Sequence, residues 1–396
     1  MPNRKTEEWR FANVNAITLD GFSVPGPVDD EVREDLRARS ALFPETAGSI
    51  AFADDHLLEH AELAQELIRK GVIWMPLERA IVEHEELLKK HFMAQPIKLG
   101  SEKFSALHGA LCRAGTFLYV PKNVEIELPL VACHWTSESG GAIFPHTLVI
   151  AEDNSKVTLV DYFGSRNPQS RNFICGVNDL YAGAGAKLTY VCAQDWGRQS
   201  LALQLNSTQS FRDSFITSLN VNLGGKFARI EAHNQALGEG GHSEMLSLTV
   251  ASGEQEFDQR TLQTHAKGNT VSDLLYKNAL LDEARTLFSG LIRVEPDAQR
   301  VDAYQTNRNL LLSPEAEANS LPGLEILAND VKCSHGATTG QIEPAQLYYF
   351  LARGITPDVA KQLLVFGFFE EVLGKLQNEA VIEKLRELIR AKLGSR

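Results

Sequence analysis

The chain has 396 residues, of which 43% are hydrophobic, and a formal net charge of −12 at pH 7. That length allows two domains or one long repetitive one, with enough apolar content for a sizeable core without disulfides. The acidic balance excludes a general nucleic-acid binder, which needs a basic surface against phosphates. The opening segment MPNRKTEEWRF has no apolar signal core, and no stretch reaches the length of a membrane span. The expected compartment is therefore the cytoplasm, or a plastid stroma for a trimmed organellar form, with no membrane partner. Cys112, Cys133, Cys175, Cys192 and Cys333 are scattered without a CxxC pair. An odd count fits poorly with an internal disulfide framework, so these read as free thiols in a reducing compartment.

Residues 1–100 read as an N-terminal helical domain. Asp29 to Leu42 forms a charged helix, and Asp54-Asp55 opens a second one carrying Leu57, Leu58, Leu63 and Leu67. Acids in a first turn suit the positive end of a helix dipole. Gly71 interrupts the pattern and Pro76 restarts it through Leu77, Ile81, Leu87 and Leu88. Trp9 and Trp74 read as packing residues.

From about Phe104 the apolar period changes from 3.6 to 2, and residues 101–340 read as a β core. Gly115 to Pro121 and Val124 to Pro129 alternate as strands do. Many short strands follow, separated by Gly, Asn and Asp. Lys156-Val-Thr-Leu-Val160 returns as Lys187-Leu-Thr-Tyr-Val191, 31 residues on, and small turn-forming residues precede both copies. A recurring strand–turn unit without helical crossovers indicates either stacked coils or a sandwich, and the repeat favours coils. Val157, Leu159, Leu188 and Tyr190 would then face inward.

Residues 341–396 read as a C-terminal helical domain separable from the β body. Glu343-Pro344 opens one helix and Gly354 ends it, while Thr356-Pro357-Asp358 is a strong start signal for the next. Val359, Leu363, Phe366, Phe369 and Leu373 form its stripe, and Ile382, Leu385, Ile389 and Leu393 form that of a last helix. With Phe368 beside Phe366 and Phe369, the aromatic surface serves either as a core cluster or as a docking face.

At the seam between β body and helices lies Cys333-Ser334-His335. The two outer side chains share one face of an extended segment, and thiolate with imidazole suits iron, zinc or copper(I). Two ligands are too few for a closed site, which takes about four. His134, His146, His233 and His242 are isolated and read as structural. No GxxxxGK[ST] motif occurs, so no ATP site is expected in this chain.

The run Lys332-Cys-Ser-His-Gly-Ala-Thr-Thr-Gly-Gln341, followed by Tyr349-Phe-Leu-Ala-Arg-Gly-Ile355, resembles the SufB/SufD family of iron–sulfur cluster assembly proteins. The likeness continues through Thr264-His265, Ser272, Phe288-Ser-Gly290, Ala298-Gln299 and Asn307-Arg-Asn-Leu-Leu-Leu-Ser313. It implies a mainly β fold, a right-handed parallel β-helix core flanked by N- and C-terminal helices. The shortness, the few cysteines and the opening Lys5-Thr-Glu-Glu-Trp-Arg-Phe11 are similar to the SufD branch. The resemblance implies a non-catalytic scaffold that pairs with a SufB-like paralogue and, through its tail, with the ABC-type ATPase SufC, or pairs with itself when alone. It implies that His335, with Cys333 as a second candidate, faces a nascent iron–sulfur cluster shared across the SufB interface. Two other readings remain. One is a purely structural stabiliser of SufB; the other is a β-helix polysaccharide-active enzyme using Asp273, Asp302 and Lys277.

Overall fold

The two copies of the Lys-x-Thr-x-Val unit lie side by side in perfect register, Lys187 on Lys156 through Val191 on Val160. One repeat is therefore one coil. Lys156, Lys187, Phe215, His242, Val271, Asp302 and Lys332 continue as register partners, each 27 to 31 residues after the last. Each coil contributes one strand to each of two ten-stranded sheets. The computed structural model, which describes residues 5–394, is thus a parallel β-solenoid of about 8 turns with helices at both ends.

One corner of the solenoid explains the Asn, Asp and Gly turns. Asn123, Asn154, Gly185, Asp213, Gly240, Asn269 and Arg300 fall one above another with φ between 56° and 73°. This left-handed region suits Gly, Asn and Asp, and costs other residues about 1 to 2 kcal/mol. All of them except Gly240 donate their N–H to a carbonyl in the next coil, as Asn154 does to Ala184 at 2.8 Å.

Val157, Leu159, Leu188 and Tyr190 face the interior, as their alternation required. Further along, that interior becomes polar. Asn178 donates to Asn206 and Asn206 to Asn220, while Gln259, Asn278, Asn309 and Asn307 form a second chain of amides. Such ladders satisfy buried polar groups from coil to coil.

The first hundred residues depart from an all-helical reading. Asp29 does cap the helix Asp30–Ser40, accepting from Val32 N at 2.9 Å. Asp54 and Asp55, however, form the turn of a hairpin between strands Gly48–Ala53 and His56–Ala61, not a helix start. Ile50 and Phe52 are buried because the first of these strands adds in parallel to Leu130–Thr136. That tertiary burial overrides the local spacing of leucines. A second antiparallel strand, Ile73–Pro76, closes the other sheet on Gly115–Val120. The solenoid is therefore capped at this end. Glu102–Leu111 is still helix, and Val124 to Pro129 makes only one bridge, Glu125 to Lys156, so regular coils begin later than the period change.

The C-terminal helices are not a separable unit. Pro357–Leu373 and Glu379–Gly394 lie across one sheet, where Val365, Phe369, Val372, Ile382, Leu385 and Ile389 share a core with Leu219, Val221, Leu246 and Leu248. Phe369 is buried and Phe366 and Phe368 are half-buried against that core, so the aromatic trio is packing rather than a free face. The free apolar surface sits one helix earlier, on Tyr348, Tyr349 and Leu351 of Pro344–Leu351, with Val359 and Leu363 beyond. No described helix is long and apolar enough to cross a membrane.

Candidate functional site

The coil that ends the solenoid carries Cys333 and His335. Among the described residues their strand, Val331–Gln341, pairs on one side only, with Val301–Leu311, and is the last of its sheet. Strand Glu317–Ile326 is likewise last in the other sheet. Inner strands such as Phe173–Ala182 are buried at every position, whereas these two are half-buried or exposed throughout. This end therefore presents two rows of unpaired backbone groups, which in a stable protein are capped or shared. Leu321, Leu324, Ile326 and Leu327 are exposed along it.

In register, Cys333 lies on Ala303 and His335 on Gln305, two inward-facing positions. Cys333 packs beside Val301, Ala303 and Ala328, and desolvation pushes its thiol above the usual value. His335 is exposed. Beneath it the Gln305 amide donates to the Gly290 carbonyl at 3.4 Å, while its Oε1 is buried without a hydrogen-bond partner. Cys333 and His335 thus share the mouth of the solenoid, as their spacing in an extended segment required. Among the described residues no third histidine, cysteine or carboxylate completes a ligand set with them. The pair offers a thiol and an imidazole to something outside this chain.

The other conspicuous residues are structural. His265 is buried, hydrogen-bonded to Thr270 and Ser272 at 2.7 and 2.8 Å, and held down to about 4 by burial. His134 is stacked between Phe52 and Phe163, His233 bonds Thr264, and His242 stacks on Phe215. Asp273 and Lys277 are taken up in ion pairs: Asp273 pairs with Lys375 at 2.7 Å, in the turn between the last two helices, and Lys277 with Glu371 at 2.6 Å, on the first of them. A cavity of about 630 Å³ opens elsewhere, beside Tyr181, Phe211 and Arg212. Cys133, Cys175 and Cys192 are buried free thiols.

One grouping escapes a reading of residues one at a time. His108, Cys112 and His146 converge, with one ligand atom of each within 4.8 Å of the others. The i, i+4 spacing of His108 and Cys112 was a usable signal, since it puts both on one helix face. His146 arrives from a strand, and nothing local announces that meeting.

Residues 134–368 match the family described as SUF system FeS cluster assembly, SufBD core domain, and residues 1–131 match the SufBD protein N-terminal region. The chain is similar to the iron–sulfur cluster assembly protein SufD of Bacillus subtilis (strain 168), at 30% identity over 391 residues, covering 98% of this chain and 89% of that one. It is also similar to an iron–sulfur cluster assembly SufBD family protein of Synechocystis sp., at 27% identity, covering 98% of this chain and 87% of the relative. A SufBD family protein of Staphylococcus aureus is 26% identical over 90% of this chain and 78% of its own length.

Proposed function

The chain belongs to the SufB/SufD family of iron–sulfur cluster assembly proteins, and from that premise we propose that it is a non-catalytic scaffold subunit for building iron–sulfur clusters. Its partner is a SufB-like paralogue that adds to the open end of the solenoid. The observation that carries this reading is the position of His335: exposed, beside the thiol of Cys333, on a last strand whose outer edge is unpaired. A second solenoid adding its own edge there would bury Leu321, Leu324, Ile326 and Leu327 and bring further ligands to the imidazole. The cluster is cargo. His335 supplies an imidazole nitrogen as iron ligand or proton acceptor, and Cys333 is the second candidate.

Energy comes from another chain, a SufC-like ABC ATPase. It docks on the exposed tyrosines of Pro344–Leu351, which lie directly after the strand bearing His335. This continuity lets ATPase movement reach the open end. The proposed compartment is the cytoplasm. When no partner is present, the same unpaired edges pair two copies of this chain.

The test uses the chain co-purified with its SufB-like and SufC-like partners. His335→Ala should leave the complex intact by gel filtration and the ATPase active, yet lower the iron and sulfide retained after reconstitution. The alternative, in which the chain only stabilises SufB, requires complex formation to fail first. An intact variant complex that assembles clusters normally overturns the role of His335.

A further inference from the structure

The helix Glu102–Leu111 packs against the strand Phe173–Ala182 and brings His108 to the opening of the strand His146–Ala151. His108 Nε2 and His146 Nδ1 are 3.1 Å apart. Two nitrogens at about 2.05 Å from one tetrahedral ion are held roughly 3.3 Å apart, so the spacing already suits shared coordination. Cys112 Sγ lies within 4.8 Å of a ring nitrogen of each histidine. Its thiol is half-buried and outside any disulfide, with a 3.7 Å contact to the Ala114 carbonyl.

The outer partners of these imidazoles carry the case further. His108 Nδ1 donates to the Cys175 carbonyl at 2.8 Å, which leaves Nε2 with its lone pair. In the metal-free chain His146 must then donate from Nδ1 to His108, and its Nε2 is bare. That atom is buried without a hydrogen-bond partner, although the Asp179 carboxylate stands 3.6 Å away. Where Asp179 is ionised, two acceptors thus face each other in the interior; burial, which pushes that carboxyl up to about 7, is the other way the contact is relieved. A cation between the two rings removes the conflict: it takes both lone pairs, and the His146 proton moves to Nε2, facing Asp179. Each ring then has the carbonyl or carboxylate that ligating histidines almost always keep on their far nitrogen. Asp179 is fixed for this by Met93 N at 2.9 Å, and among the described residues His146 is its one ion-pair contact.

We infer that His108, Cys112 and His146 form a binding site for one borderline-soft transition-metal ion of the zinc class, separate from the cluster-building end of the molecule. Two imidazoles and a thiolate suit zinc or copper(I) and not magnesium or calcium, which require oxygen. A fourth position is left for water. The ion would tie the helix Glu102–Leu111 to the first coils. It does not depend on the role proposed for His335.

The test uses the full-length chain carrying Cys333→Ser and His335→Ala, so that the solenoid mouth contributes no ligands. Cobalt(II) added to the metal-free protein should bind at one equivalent, with the charge-transfer band of a thiolate ligand and the visible bands of a tetrahedral ion. Zinc should displace it and shield Cys112 from alkylation in the otherwise unaltered chain. Adding Cys112→Ser should remove the charge-transfer band and weaken zinc binding at least about tenfold, with the urea midpoint of the metal-free protein showing that it folds. Absence of a stoichiometric site, an unchanged band in Cys112→Ser, or alkylation of Cys112 unaffected by zinc would each overturn the assignment.

Discussion

The ammonium of Lys277, on a strand of the solenoid, sits 2.6 Å from the carboxylate of Glu371 on the helix that crosses it. The same nitrogen donates to the Phe368 carbonyl at 2.7 Å. A lysine this buried requires such partners, because an unpaired charge in that position is costly. The helix is thus locked onto the sheet by polar bonds as well as by its apolar face.

Stability and docking in the tail should therefore separate by residue, not by truncation. Phe369→Ala should cost about 3 to 5 kcal/mol in urea unfolding, as expected for a buried aromatic. Tyr348→Ala with Tyr349→Ala should stay within about 0.5 kcal/mol of the parent, because both rings are exposed. Only the tyrosine pair should weaken capture of the ATPase partner while the fold is unchanged. Equal ATPase binding by the tyrosine variant would place docking elsewhere.

The amide ladder gives a second prediction. Asn278 accepts from Gln259 at 3.1 Å and donates to Asn309 at 2.8 Å, all three being buried. Asn278→Ala leaves polar atoms on two coils without partners, and should destabilise by about 1 to 3 kcal/mol. The loss should appear as a lower urea midpoint. A variant as stable as the parent would mean that water takes over those bonds.

Arg300 is the one member of the left-handed corner that is not Gly, Asn or Asp. Neighbours in the column, Asn154 and Asn269, tolerate φ of 56° and 57° through short side chains. Arg300→Asn should raise stability by about 1 kcal/mol, readable as a higher melting temperature. No gain would show that the arginine side chain makes up for the backbone strain.

Acid sensitivity should arise in part from His265. Burial lowers its folded value to about 4, whereas an unfolded histidine titrates near 6.5. Its ring partners, Thr270 and Ser272, do not titrate in this range. Between these values the unfolded chain binds the extra proton, so stability is full above about 6.5 and falls as pH drops toward 4. The loss from this group alone is roughly 2 kcal/mol at pH 5. His265→Gln should lose less stability between pH 7 and pH 5 than the parent, by about that amount. Equal losses would remove His265 from the account.

The sequence by itself determined the coil: the repeat at Lys156 and Lys187 is in register to the residue, since strand alternation and turn chemistry are local properties. It also determined that Cys333 and His335 share a face. It misread Asp54-Asp55, because the leucine spacing after them fits a helix, and only parallel pairing of Gly48–Ala53 with Leu130–Thr136 makes that segment a strand. It left open whether the aromatic stripe of the tail is core or docking face, since 3.6-residue periodicity marks a stripe without saying which part finds a sheet; Phe369 is buried while Val359 and Leu363 of the same helix stay exposed. The tertiary structure alone decided which end of the solenoid stays open. It alone brought His146 to His108 and Cys112, because contacts between distant segments depend on how coils and helices stack, and no local spacing encodes that.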